Sequence, residues 1–236
     1  MTTRADLDEL NKVRRRLENA AADQLARALG ALSPADPLYE ILVADAIRAV
    51  GEYYGDAAAQ AALAWYEQVR PAGVVPMRLP PIAASPVRID GAAQILQVRG
   101  KDVLIQNLRS QLRGRSRGMV RRCMDQDPAV VSWARVPAGA TTCAFCLMLA
   151  SRGWVYRSQE TAEHRKRGDR YHADCDCTVA PSWDRKPPAI SGYDPDSLYS
   201  QYMAARNEAD GIDESSILAA MRRMDLPGCS ESVRSN

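Results

Sequence analysis

The sequence predicts a mainly α-helical protein, interrupted by a proline-rich arm and by one small α+β module. Three observations carry this prediction. Alanine, leucine and arginine, which favour helices, are frequent, whereas aromatic residues make up only 6% of the 236 residues. Apolar residues recur every three or four positions over long stretches, which is the period of an amphipathic helix. Five prolines fall between positions 71 and 86, where neither a helix nor a central strand can continue.

These patterns divide the chain into five segments. An N-terminal helical region at 1–70 is followed by a proline-rich linker or arm at 71–91 and a second helical region at 92–130. The α+β module is predicted at 131–190, and a helical tail at 191–236.

The N-terminal region is expected to contain three helices. One apolar face runs from 6 to 29, and Gly30 ends that helix. Ser33-Pro34 supplies an N-cap and a proline at the first position of a second helix. Gly55-Asp56 is expected to separate this helix from a third at 57–69.

The rest of the chain carries weaker helix signals and one strand signal. Three glycines predict that the stretch 92–124 forms two or three helices: Gly100, Gly114 and Gly118. The apolar alternation at 131–136 predicts a short strand. In the tail, two N-caps each predict a helix: Asp194, which precedes Pro195, and Asp213.

Charge and hydropathy exclude some functions. The formal net charge is only +2, so no field of the whole molecule favours nucleic acid or a membrane as partner. No run of about 18 apolar residues occurs, and the N-terminus lacks the apolar core of a secretory signal. The sequence therefore predicts a protein that folds in a cytoplasm, where clustered cysteines indicate bound metal or buried thiols rather than disulfides.

Four of the six cysteines form two groups with the spacing of metal ligands. Cys143 and Cys146 are a Cys-x2-Cys pair, and His172, Cys175 and Cys177 follow after a loop. Zinc prefers four tetrahedral sulfur or imidazole ligands, and a Cys-x2-Cys turn supplies two without strain. The second group offers three candidates for the two remaining positions.

The choice between those candidates depends on local backbone. If Cys175 and Cys177 lie on an extended segment they share a face, which favours four sulfurs with His172 nearby. If the segment turns, His172 joins one of the two cysteines. Either set leaves no open position for water, so the sequence predicts a structural zinc knot rather than a hydrolytic site. The alternatives are four buried thiols, or a redox role of the Cys-x2-Cys pair that leaves the second group unexplained.

Four motifs around these cysteines resemble minor head proteins of actinobacterial tailed phages related to the Mu F protein. The motifs are WARVP at 133–137, TTCAFCLMLASRG at 141–153, YHADCDC at 171–177 and GYDP at 192–195. Their order is more specific than a single Cys-x2-Cys pair, and the resemblance covers residues 133–206. The wider family often has proline after the histidine, where this chain has Ala173.

The resemblance implies a structural role inside a phage head. It implies a protein made in the host cytoplasm with the portal, capsid and scaffold proteins as partners, carried in few copies in the head interior near the portal. There it would act in head assembly or genome delivery. It also implies a metal role for Cys143, Cys146, His172, Cys175 and Cys177 as a set. Some such proteins are labelled maturation proteases, so a prohead protease is one alternative.

The sequence gives that protease little chemistry. Its general base would be a histidine, and of the two present His172 is assigned to the metal. His164 lies in a charged stretch without an evident orienting carboxylate. No Gly-x-Ser-x-Gly elbow and no phosphate-binding loop occurs, so no catalytic residue is assigned and the protein is predicted not to be an enzyme.

A second alternative is a DNA-binding protein packaged with the genome. The densest basic run could neutralise several phosphates, although no aromatic residues are interleaved for base stacking. Besides Arg109, this run consists of Arg113, Arg115, Arg117, Arg121 and Arg122. A solvated helix face, or a surface that pairs with acidic portal residues, is the competing interpretation.

Overall fold

The computed structural model describes residues 1–82, 87–138, 142–156 and 177–224. Across these ranges it has seven α-helices and one two-stranded sheet, which confirms the prediction of a mainly helical chain. None of the helices in these ranges is long and apolar enough to cross a membrane.

The chain divides into two compact units, which we call the helical unit and the cysteine unit. The helical unit comprises Glu9–Gln68 and Arg78–Gln126. The cysteine unit comprises Met1–Asp8, Val69–Met77 and Asp127–Asn236.

Four helices supply the helical unit, and the first of them begins in the cysteine unit. Their bounds are Arg4–Gly30 for α1, Tyr39–Val69 for α2, Ala92–Arg99 for α3 and Lys101–Gln126 for α4. The core is aliphatic and is built from the inward faces of these helices, with Leu25, Val43, Ile47, Leu108 and Leu112 all buried. Burial of these faces stabilises the helices more than their intrinsic propensity does.

Helix α2 corrects two predictions. It does not begin at Ser33-Pro34, which forms a turn; the carboxylate of Asp36 accepts a hydrogen bond from the backbone N–H of Leu38 at 2.8 Å just before the helix starts. Nor does Gly55-Asp56 interrupt it, since α2 is continuous. A Cβ atom at Gly55 would lie 2.9 Å from Nε of Arg115, so glycine here admits a neighbouring side chain instead of ending the helix.

The stretch 92–124 forms two helices, which agrees with the prediction of two or three. Gly100 separates α3 from α4 with a φ of 81°, a left-handed conformation that favours glycine. Gly114 and Gly118 remain inside α4.

The proline-rich stretch contains no helix or strand at 71–82 or 87–91. Residues after the prolines are fixed to the helical unit. The N–H of Arg88 donates to Oε1 of Gln111 at 2.7 Å, and Nε2 of Gln111 donates to the carbonyl of Arg88 at 3.3 Å. The side-chain amide thus pairs with the backbone as a neighbouring strand would. A role of this stretch as an arm stays a prediction.

The described part of the cysteine unit contains a β-ribbon and three helices. Their bounds are Ser132–Val136 for β1, Ala144–Ala150 for α5, Thr178–Ser182 for β2, Pro195–Asn207 for α6 and Glu214–Arg223 for α7. Strand β1 confirms the predicted strand, and it pairs antiparallel with β2 from Ser132↔Ser182 to Val136↔Thr178. Every residue of both strands is buried.

Both tail helices begin at the predicted caps. Oδ1 of Asp194 accepts from the backbone N–H groups of Asp196 and Ser197, each at 3.1 Å. Oδ1 of Asp213 accepts from the N–H of Ser216 at 3.1 Å, and hydrogen bonds from the Ser215 and Ser216 hydroxyls hold the pKa of Asp213 well below its usual range. The two helices pack on α5 in a small apolar core.

A buried carboxylate joins three chain segments of the cysteine unit. Asp127 accepts two hydrogen bonds from Arg70, at 2.7 and 2.9 Å, and one from Nε1 of Trp183 at 2.9 Å. The backbone N–H of Ala129 also donates to this carboxylate, at 3.0 Å. One buried carboxylate therefore holds together three segments: the residues after α2, the residues after α4 and the residues after β2.

Candidate metal centre

Cys143 is the N-cap of α5 and points its sulfur back over the first turn. Its Sγ accepts a hydrogen bond from the backbone N–H of Cys146 at 3.3 Å, and its carbonyl accepts from the N–H of Leu147 at 3.0 Å. An N-cap side chain normally satisfies one of the helix's orphan N–H groups through oxygen, and here sulfur does so. The Cys-x2-Cys spacing thereby places Cys143 and Cys146 on the same turn.

Cys177 meets this turn from the other side of the module. It directly precedes β2, and its Sγ lies 3.6 Å from Sγ of Cys146. Cys146 and Cys177 are fully buried, with Cys143 half-buried against them. A disulfide would need about 2.05 Å. Tetrahedral zinc with bonds of about 2.3 Å separates its sulfurs by about 3.8 Å, so the observed distance fits two ligands of one ion.

The structure therefore brings two of the five predicted ligands, Cys146 and Cys177, to a distance that fits one ion, with Cys143 packed against them. His172 and Cys175 lie outside the described residues, and the described residues alone contain no group of three or more that could hold a metal ion. Two thiols 31 residues apart in sequence, with a third beside them, converge in an apolar interior. Soft sulfur donors in this arrangement suit zinc.

The C-terminal end of α5 is held by three hydroxyl groups. Ser151 donates to the carbonyl of Met148 at 2.8 Å, Tyr156 to that of Leu149 at 3.0 Å, and Tyr193 to that of Ala150 at 2.8 Å. Burial, and then the neighbouring Tyr156, raise the pKa of Tyr193 far above its usual value, so its hydroxyl stays a donor. These bonds satisfy carbonyls that a helix end leaves unpaired.

The β-ribbon contacts Tyr156, one of the residues that hold the end of α5. The ring of Trp133 stacks on the ring of Tyr156, with centroids 4.6 Å apart. The backbone N–H of Trp133 donates to the backbone carbonyl of Tyr156 at 2.9 Å. Because Trp133 directs its backbone N–H away from β2, Trp133 and Pro181 form a non-hydrogen-bonded pair, at which the ladder needs no N–H from position 181. A proline can therefore occupy this paired strand.

Thr2 and Arg4 also bind the backbone of the cysteine unit. Thr2, which is 1% exposed, donates its hydroxyl to the carbonyl of Pro181 at 2.7 Å. Arg4 donates to the carbonyl of Ser191 at 2.7 Å and to that of Pro137 at 2.9 Å. Sequence reasoning missed these residues because no local pattern links positions 2 and 4 to a module more than a hundred residues away. It also gave no role to Tyr193, although the GYDP motif that contains it had been singled out.

The comparison with known families covers most of the chain. The model of the VG15 protein family matches residues 1–205. The chain belongs to the VG15 family. It is a phage protein: two of its relatives are the Gene 15 proteins of Mycobacterium phages L5 and D29.

Identity to these two relatives is modest and local. The L5 protein is 35% identical over 94 aligned residues, which cover 25% of this chain and 32% of the relative. The D29 protein is 35% identical over 86 residues, covering 25% and 31%. The chain thus spans about a third of the length of these curated relatives. No solved structure matches it. These names state neither an enzymatic activity nor a minor head role, so the Mu F-like assignment stays a prediction.

In this VG15 protein the predicted DNA-binding arginines are turned largely inward. Arg113 is 15% exposed and pairs with Glu18 at 3.1 Å, and Arg115 is 12% exposed and pairs with Asp56 at 3.3 Å. The remaining members are Arg117, which is buried, and Arg109, Arg121 and Arg122, which are half-buried. The run therefore forms no open cationic surface. DNA contact through it stays a prediction that this geometry does not favour.

Several of these charges form a buried cluster within the helical unit of the VG15 chain. Glu18 accepts from Arg113 and lies 3.3 Å from Nε of Arg14. Burial, and then Arg117, lower the pKa of Arg14 to about 10, while Glu18 opposes that shift. The arginines thus serve internal packing of α1 against α4. His164, the proposed base of a protease, lies outside the described residues, so that alternative stays untested.

Proposed function

We propose that this VG15 protein is a structural minor head protein of a tailed phage, whose cysteine unit is held together by one zinc ion. The approach of Cys146 and Cys177 to 3.6 Å carries the proposal of the metal. The family match and the mycobacteriophage relatives support a phage protein, and the ordered motifs around the cysteines support the head role.

A closed zinc site suits a structural part. Four protein ligands leave no position for a reacting water, so the ion stabilises the module instead of catalysing hydrolysis. The described part of the module is small, with a five-residue ribbon and a seven-residue helix, and metal binding supplies folding free energy that such a core lacks. Its place in the virion would be the head interior near the portal, with portal, capsid or scaffold proteins as partners.

Metal content tests the site. Full-length protein purified without chelator is expected to hold about one zinc per chain by mass spectrometry of the elements. Cys146→Ser is expected to lose the ion. Cys123→Ala removes another buried cysteine, from α4, and should retain it. Zinc-free wild-type protein, or equal zinc in both variants, would reject the proposal.

The fourth ligand is open to a direct comparison. With Cys143, Cys146 and Cys177 as three ligands, either His172 or Cys175 supplies the last. Cobalt-loaded His172→Ala and Cys175→Ser proteins should differ, because losing a thiolate weakens the sulfur-to-cobalt charge-transfer band whereas losing an imidazole does not. If neither substitution changes metal content or spectrum, the ligand set is wrong.

The head role is tested in particles. Quantitative mass spectrometry of purified proheads and virions is expected to find the protein at a few copies per portal. A phage lacking it should assemble fewer infectious heads. Absence from both kinds of particle would contradict a minor head protein while leaving the zinc site intact.

A further inference from the structure

The solvent faces of α1 and α2 carry opposite patterns of charge. On α1, Arg16, Asp23 and Arg27 are all exposed and lie along one stripe of the helix. None of the three forms an ion pair within the ranges that the structure describes. Read from its N-terminus, this stripe is positive, negative, positive.

Helix α2 presents the complementary pattern in the reverse direction. From its middle toward its N-terminus it exposes Asp56, Arg48 and Asp45, which are negative, positive and negative; Glu52, also exposed, lies between Asp56 and Arg48. The side chains of Asp56, Arg48 and Asp45 are 52%, 46% and 57% exposed. Asp45 pairs with Arg48 at 2.6 Å and Asp56 with Arg115 at 3.3 Å, but exposed carboxylates keep further acceptor positions.

The spacing of the two patterns agrees. Arg16 and Arg27 are separated by as many residues as Asp45 and Asp56, which is about three turns or about 16.5 Å in both helices. If α1 lies antiparallel on α2 with Arg16 opposite Asp56, Arg27 faces Asp45 and Asp23 falls beside Arg48. In that register Glu52 faces the small Ala20, so no like charges oppose each other.

The α2 face also exposes apolar area that arginine can cover. Ile41 is 58% exposed and Tyr53 is 70% exposed. The aliphatic stems of arginine pack on such surfaces, and a guanidinium placed over a tyrosine ring gains a cation–π interaction.

We propose that this protein self-associates, with α1 of one copy docking antiparallel on α2 of another. The contact does not involve the cysteines and is independent of the proposed zinc site. Because it rests on charge pairs at the surface, it is expected to weaken as salt rises.

Sedimentation velocity of the full-length, metal-replete protein tests the proposal. Wild type at about 100 µM should associate in about 50 mM salt and dissociate in about 500 mM salt. Arg16→Glu with Arg27→Glu, and separately Asp45→Lys with Asp56→Lys, should each be monomeric at low salt. The control Arg185→Glu with Arg206→Glu reverses two exposed arginines of the cysteine unit and should associate like wild type.

Mixing the two charge-reversed proteins separates docking from misfolding. Each variant repels itself, but the altered α1 of one complements the altered α2 of the other, and their native faces also match. An equimolar mixture should therefore regain association to within about threefold of wild type. A monomeric wild type, variants that associate unchanged, or a mixture that stays monomeric would each overturn the proposal.

Discussion

The carboxylate of Asp127 is fully buried and accepts hydrogen bonds from the Arg70 guanidinium, from Trp183 and from the backbone of Ala129. Removing one partner of such a pair leaves a buried charge without compensation. We predict that Asp127→Ala lowers the free energy of unfolding by about 3–5 kcal/mol, measured by urea denaturation. Asp210→Ala breaks an exposed pair with Arg223 and should cost less than about 1 kcal/mol. Equal losses would show that the Asp127 contacts are not formed.

The buried hydroxyl of Tyr193 predicts a dependence on alkaline pH. Its pKa is raised in the folded protein, whereas in the unfolded chain it is about 10. Above that pH the unfolded chain releases a proton that the folded protein keeps, so stability falls as pH rises. Tyr193→Phe should lose about 1 kcal/mol at neutral pH and show a shallower decline above pH of about 10. Tyr199→Phe, at a half-exposed position, should leave the alkaline slope unchanged.

At the scale of elements, the glycines of α2 leave room for side chains that pack against the helix. A Cβ at Gly51 would lie 2.7 and 2.9 Å from the methyl groups of Val87, a β-branched side chain that cannot turn aside. We predict that Gly51→Ala destabilises the protein by about 1–3 kcal/mol in thermal or chemical unfolding. Gly114→Ala in α4 meets no atom within 4 Å and should stabilise by about 0.5–1 kcal/mol.

A second substitution checks the cause of that loss. Combining Gly51→Ala with Val87→Ala should recover part of the stability, because the two changes share one contact and are not additive. Additive losses would place the strain elsewhere.

Elements were predictable where the signal is local. The caps at Asp194 and Asp213, the strand at 131–136 and the break at Gly100 depend on a few neighbouring residues, and the structure has all of them. The predicted helix break at Gly55 was wrong because this glycine makes room for the side chain of Arg115, which lies on another helix. Strand β2 was not predicted because Pro181 argues against a strand, and only its partner Trp133 shows why proline is tolerated.

The candidate site was predictable to a similar degree. Cysteine spacing picked out Cys143, Cys146 and Cys177, which do converge. The residues that support these cysteines could not be predicted, because Thr2, Arg4 and Tyr193 act through long-range hydrogen bonds that leave no periodic pattern in the sequence. The burial of the arginine run was not predictable for the same reason, since its partners Glu18 and Asp56 lie on other helices.

For the whole molecule, the division into two units predicts a selective response to metal removal. Hydrogen exchange after chelation should lose protection in β1, α5 and β2 of the cysteine unit, which depend on the proposed ion. Protection in α2 and α4 of the helical unit should remain, since its aliphatic core holds no cysteine ligand. Uniform loss, or no loss, would contradict a metal confined to the cysteine unit.

The anchoring of Thr2 and Arg4 has a consequence for biosynthesis. On the ribosome these residues are made well before the carbonyls that they bind, on Pro137, Pro181 and finally Ser191. At about 5–20 residues per second, roughly 10–40 s separate the two events. The helical segments between them emerge in the meantime and can form their own core, so the cysteine unit of the nascent chain would close only after the helical unit has been synthesised.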